Sequence, residues 1–178
     1  MKQAIVMDTL LDLRRNKMSR IMLAGDLHFG HKGISRFRDM GEEEQHRETI
    51  IRNFNESLGK RDSLYLLGDI AFSEDMIEQI ARIKCGYKFL ILGNHDCKNI
   101  AKWMTVVNNI FGITKHKGAW LSHAPIHPAE LRGKINIHGH VHNATLADTR
   151  YFNVSLENIN YRPIHLEEIK LRCFPDGY

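Results

Sequence analysis

Cysteine is scarce in this chain. Cys85, Cys97 and Cys173 are unevenly spaced and form no C-x-x-C pair, which argues against a disulfide framework and a zinc knuckle. Free thiols in that arrangement fit a reducing cytoplasm. A dominant charge is missing too. Against 25 Lys plus Arg stand 21 Asp plus Glu, leaving +4, which permits an anionic substrate but is far from a nucleic-acid footprint. No apolar run approaches the roughly 20 residues of a membrane span. The N-terminus has Asp8 and Asp12 inside its one apolar stretch and no small-residue cleavage site, so it is a poor signal peptide. Repeats, low-complexity tracts and Pro/Gly/Ser linkers are also lacking. What is left is one soluble domain of 178 residues, long enough for a proper core. No membrane partner is expected, and the oligomeric state is not legible.

Residues 1–19 stand apart. Ile5, Val6, Leu10 and Leu13 can form one face of a short helix ahead of Arg14, Arg15 and Lys17, so this segment is expected to be an accessory extension. The domain proper is expected over 20–178. It alternates: a strand at Ile21–Ala24, a loop from Phe29 to Met40, and a helix from about Glu42 to Leu58. A strand then ends at Asp69, a helix is capped by Ser73 and carries Ile77, Ile80 and Ile83, and a further strand runs to Asn94. A helical stretch is expected over Ile100–Asn109. Beyond residue 110 helices fade and short strands are expected to dominate, at 113–117, 119–122, 135–138, 152–155 and 164–169. A βαβ half followed by a β-rich half predicts an α/β fold of two packed sheets with helices outside.

Five polar clusters each follow an apolar run: Gly25-Asp26-Leu27-His28, Gly68-Asp69, Gly93-Asn94-His95-Asp96, Ser122-His123 and Gly139-His140-Val141-His142. Ligand-binding groups of α/β proteins gather at the carboxyl ends of strands, so Asp26, His28, Asp69, Asn94, His123, His140 and His142 are candidate ligands of a two-metal site. Eleven histidines are many, and six of them lie in or beside these clusters. His46, His116, His127, His138 and His165 have no such partner pattern and are expected to be surface or satisfied core residues. Taken alone, each cluster is a turn or a cap; the ordered set of five is what points to chemistry.

Asp26 and His28, two apart at a strand end, should share a face and bind one ion. His140 and His142 either do the same or are sent to different ions by a tight turn. Asp69 can offer both oxygens and bridge, while Asn94 adds a neutral carbonyl oxygen in a site that must accept phosphate. Nitrogen and oxygen donors without thiolate suit Mn, Fe, Zn or similar ions, with Mn favoured here. Two such ions about 4 Å apart acidify a bridging water and stabilise both attacking and departing oxygens. His95 is free to donate a proton, and Asp96 could orient its ring. His31 and Lys32 either meet the substrate phosphate or merely begin a solvated loop.

The order D-x-H, G-D, G-N-H-D, H, G-H-x-H over residues 20–142, continued by Asn153-Val154-Ser155 through Pro163-Ile164, resembles the calcineurin-like metallophosphoesterase superfamily. Asp26-Leu27-His28-Phe29-Gly30-His31-Lys32 resembles in particular its small bacterial and phage-type branch. The resemblance implies a four-layer αββα sandwich of two mixed sheets with flanking helices. It implies Asp26, His28, Asp69 and His142 on one metal, Asp69, Asn94, His123 and His140 on the other, and His95 as proton donor. The expected reaction is attack by a metal-bridging hydroxide on a phosphodiester or phosphomonoester, with a phosphorylated small molecule or nucleotide as substrate. Two alternatives are a scaffold binding a protein partner and a nuclease acting on nucleic-acid ends. The second draws on the Arg14/Arg15/Lys17/Arg20 and Lys32/Arg36/Arg38 runs.

Overall fold

The computed structural model describes residues 19–174, so the expected extension lies outside the described residues except for Ser19. Among these residues nine strands form two mixed sheets. In the first, β1 (Ile21–Ala24), β2 (Ser63–Leu67), β3 (Tyr87–Ile91) and β4 (Asn109–Phe111) are parallel in the order β4-β3-β2-β1, and β9 (Ile164–His165) closes it antiparallel to β1. In the second, β5 (Ile113–His116) runs antiparallel to β6 (Ala119–Ser122), and β7 (Ile135–His138) and β8 (Tyr151–Asn153) follow in parallel. Lys117 and Gly118 join β5 to β6, both with positive φ, as the two-residue turn favoured by twisted hairpins requires.

Helices flank the sheets: α1 (Lys32–Phe37), α2 (Glu43–Ser57), α3 (Glu74–Gln79), α4 (Ile100–Trp103) and α5 (Leu166–Cys173). Glu42 and Gln45 bond each other's backbone amides as a capping box ahead of α2, whose His46, Ile50, Ile51 and Phe54 turn inward. Ile77, Ile80 and Ile83 are fully buried, as their spacing predicts. Leu23, Leu66 and Leu90 of the first sheet and Leu121, Ile135 and Ile137 of the second share one apolar core.

Three expected elements differ. The loop over 29–40 contains α1, because the His31 ring caps the Ile34 amide at 3.0 Å and starts a helix too short to show an apolar repeat. The helix expected to reach Asn109 stops at Trp103. Asn108 is drawn to β3 instead, its amide to the Lys88 carbonyl at 2.7 Å and its side-chain oxygen to the Lys88 amide at 2.8 Å. The strand expected over 164–169 is two residues long and gives way to α5. There Glu167 and Glu168 in the first turn, Lys170 and Arg172 in the last, and buried Leu166, Ile169 and Cys173 are a helical signature.

Trp103 ties this frame to the loop after β3. Its side chain is fully buried and its indole N–H donates to the Cys97 carbonyl at 2.8 Å. Trp103→Ala should therefore cost about 3–5 kcal/mol, the usual range for a large aromatic core truncation. The check is a shift of the urea midpoint at unchanged slope; a cost under about 1 kcal/mol would contradict this packing.

Candidate metal centre

All five polar clusters begin where β1, β2, β3, β6 or β7 ends. Those ends meet at one edge, where Gly25 donates to the Val154 carbonyl at 2.9 Å and bridges Ser155, joining the first sheet to the segment after β8. Asp26, His28 and His142 come together as one group of potential ligand atoms. Asp69, His123 and His140 form a second, with atoms in each group no more than 4.8 Å apart. The Asn94 side-chain oxygen stands 2.9 Å from His123 Nε2, so it belongs with the second group.

The backbone does this in a way that strand alternation does not foresee. Asp26, His28, Asp69, His140 and His142 have φ of 57°, 55°, 53°, 70° and 46°, all left-handed. Asp26 and His28 meet through a contorted turn beyond β1, not as neighbours on a pleat. The same device parts His140 from His142. Each left-handed residue costs about 1–2 kcal/mol, and five together rival the net stability of a small domain, about 5–15 kcal/mol. Hydrogen bonds from the surrounding turns hold them there: the Asp26 amide to the Gly68 carbonyl, and the His28 amide to the Asp69 carbonyl, both at 2.9 Å. Gly93 and Gly139 have no room for a side chain. A Cβ would strike the Asp69 amide and carboxylate in one case and the Asp26 carboxylate in the other.

Asp69 lies between the groups, with Oδ1 3.4 Å from His123 Nε2 and Oδ2 4.0 Å from His28 Nε2. Burial would raise its carboxyl pKa; the His123 ring and the His95 amide outweigh burial and hold it at about 2. His123 Nδ1 sits 2.9 Å from the Leu67 carbonyl, which can only accept, so Nδ1 carries the proton and Nε2 faces the site. Asp96 is placed differently from the expected role. Its oxygens accept the amides of Asp69, Ile70, Ala71 and Gly93 at 2.7–3.1 Å, so it braces backbone instead of the His95 ring. The exposed His95 ring instead lies parallel to Phe72, centroids 5.5 Å apart. His31 packs its ring edge against Phe72 and His28. Lys32 is exposed at the start of α1.

A sequence model of the calcineurin-like phosphoesterase family matches residues 19–176. The chain belongs to that family. It is 28% identical over 173 residues to an uncharacterized protein of Methanocaldococcus jannaschii, across 85% of this chain and 90% of that one. It is 28% identical over 186 residues to the Gene 66 protein of Mycobacterium phage L5, across 84% and 86%. A crystal structure of a protein of unknown function from Aquifex aeolicus is similar with a TM-score of 0.69 and 25% identity, over 86% of this chain and 98% of that one.

Membership of the calcineurin-like phosphoesterases supports a metal-dependent hydrolase, and the donors fit divalent metal. Asp26 Oδ1 and both ring nitrogens of His28 are buried and have no hydrogen-bond partner among the described residues. Asp26 Oδ1 faces His28 Nε2 at 3.6 Å. Metal–ligand bonds of about 2.0–2.2 Å set neighbouring donors roughly 3.0–3.5 Å apart, close to the spacing seen here.

Three phosphoesterase residues near the centre escape motif reasoning. Phe72 is one. The others are Glu157, whose Oε1 stands 3.2 Å from His142 Nδ1, and Arg38, fully buried and paired with Glu157 at 2.8 Å. Arg38 also donates to the carbonyls of Asp26 at 2.8 Å and Leu27 at 3.4 Å, and stands 3.0 Å from His46 Nε2. An arginine only donates, so His46 Nε2 accepts and the ring stays neutral. Burial first, and then the Arg38 charge, lower its pKa from 6.5 to about 3. Below pH 6.5 the unfolded chain gains a proton there that the folded chain refuses, so this contribution is complete above pH 6.5 and declines as pH falls towards 3. The loss reaches about 2 kcal/mol by pH 5. His46→Gln should flatten stability between pH 7 and 5 by that amount, read from urea melts at each pH. Parallel curves for the two proteins would contradict the buried neutral ring.

Proposed function

We propose that the chain is a binuclear metal-dependent phosphoesterase acting on a phosphodiester, with a nucleotide-type substrate. The observation that carries this reading is the pair of donor groups, Asp26/His28/His142 and Asp69/His123/His140, meeting at Asp69. Two divalent ions, manganese first among Mn, Fe and Zn, would supply an acidified water and neutralise charge on phosphate oxygens. Of the proposed ligands, Asp26 and Asp69 are the anionic ones. Two dications less two carboxylates leave a net charge of +2, so the site attracts a phosphodiester anion. Asn94 adds an oxygen without reducing that charge.

His95 is the residue for the departing oxygen. Its amide N–H is tied to Asp69 Oδ1 at 2.9 Å, its ring is exposed beside the donor groups, and Phe72 supports one face. It can hold a proton near the bond that breaks without being a ligand. The aromatic edges of Phe72 and His31 favour a flat organic substituent, and exposed Lys32 suits further phosphate. An extended nucleic-acid track has less support. Of the basic runs, Arg38 is buried against Glu157 and Arg20 is bound to Asp62 at 2.5 Å. No helix among the described residues is long and apolar enough to cross a membrane, and the free thiols of Cys85, Cys97 and Cys173 agree with a cytoplasmic setting.

The test is turnover by the Mn-loaded protein of an aryl phosphodiester, an aryl monoester, a dinucleotide and an oligonucleotide. Diester and dinucleotide hydrolysis is expected, abolished by chelator. A protein that binds two ions yet turns over none of the four would be a scaffold. His95→Gln should keep both ions and lose roughly 10²–10⁴-fold in rate. The loss should shrink for a nitrophenolate leaving group, which needs little protonation. Equal losses for good and poor leaving groups would contradict the proton-donor role.

A further inference from the structure

One donor group is supported from behind by a short segment that carries no ligand. Asn153 and Asn158 each donate a side-chain N–H to the His142 carbonyl at 2.7 Å, and the Ser155 hydroxyl donates to Asp26 Oδ2 at 2.8 Å. Between them Glu157, its side chain 7% exposed, places Oε1 3.2 Å from His142 Nδ1. Arg38 grips the same oxygen through Nε at 2.9 Å and Nη2 at 2.8 Å, and through Nη2 also holds the Asp26 carbonyl. Among the described residues His123, in the other group, has the neutral Leu67 carbonyl and no carboxylate behind its Nδ1. A carboxylate behind a histidine is therefore present on one side of the centre.

We propose that Glu157 is a positioning residue for His142, through which the chain sets the strength of the Asp26/His28/His142 metal subsite independently of its neighbour. This rests on the binuclear reading above. An ionised carboxylate can only accept, so it fixes the imidazole proton on Nδ1, leaves the lone pair on Nε2 and locks the ring's rotation. The nearby negative charge also makes Nε2 a stronger donor, and such partners are commonly worth 10–100-fold in metal affinity. Arg38 fixes the carboxylate in turn and links it to the strand end bearing Asp26, so two ligands of one subsite share one support. Among the described residues no hydrogen bond or ion pair links Glu157 to His123, His140 or Asn94, so its loss should fall on one ion.

The experiment is calorimetric titration of the full chain with Mn²⁺, alongside a thermal melt of each variant. Wild type should bind two ions. Glu157→Gln should weaken one of them 10–100-fold and leave the other within about twofold. Glu157→Asp keeps a charge opposite Arg38 but withdraws it by one methylene, and should weaken the same ion. If Glu157→Gln does not fold, Glu157→Asp decides. Unchanged affinities, or equal loss of both ions from a folded variant, would overturn the proposal. A wild-type chain that takes up fewer than two ions would instead overturn the binuclear reading, and the inference would fall with it.

Discussion

The Asp96 carboxylate gathers four backbone amides, three from the turn after β2 and one from the turn after β3. Through it the turn bearing Asp69 and the turn bearing Asn94 and His95 become one rigid piece. Without an acceptor there, three buried N–H groups would lack partners, at about 1–3 kcal/mol each, and the half-buried Gly93 amide would lose its own. Burial pushes its carboxyl pKa up, the amides of Gly93, Ile70 and Ala71 oppose that, and the Asp69 charge adds to the rise. Asp69 is then free to present both oxygens to the donor groups while its own amide is held. Its Oδ1 in turn accepts the His95 amide, so proposed ligand and proposed proton donor share one brace.

The same economy runs through the second sheet. Ser155 and the His140 amide both bond Asp26 Oδ2, which leaves Oδ1 to face His28. Left-handed turns aim the side chains, and hydrogen bonds among those turns resist their relaxation. In a centre built in this way the donors are held by the chain's own hydrogen bonds. Such preorganisation matters because donors that need not move lose little affinity to reorganisation.

The sequence makes the sheet alternation and the candidate donor residues legible for a physical reason. Buried strands need continuous apolar runs, and polar residues directly after them stand out. Asp26, Asp69, His123 and the His140/His142 pair are readable on that contrast alone. Their mutual geometry is not, because it depends on left-handed φ, which Asp and His adopt without advertising it. Short elements also escape: α1 is started by one His31 cap, and α5 hides behind a strand-like Ile164. Glu157 and Arg38 are invisible for a different reason. They lie 119 positions apart in the chain, and a charged residue in a motif-free stretch is ordinarily a solvated surface group. Asp96 is conspicuous in the sequence, yet its neighbour in the chain, the His95 ring, is not what it braces.

In the proposed centre the two donor groups are joined through Asp69. Electron paramagnetic resonance of the protein titrated with Mn²⁺ addresses it directly, because ions sharing a carboxylate couple their spins. At two equivalents the account predicts the signal of a coupled manganese pair, and its disappearance in Asp69→Asn. Signals of isolated Mn²⁺ at every stoichiometry, or a coupled pair that survives Asp69→Asn unchanged, would contradict it.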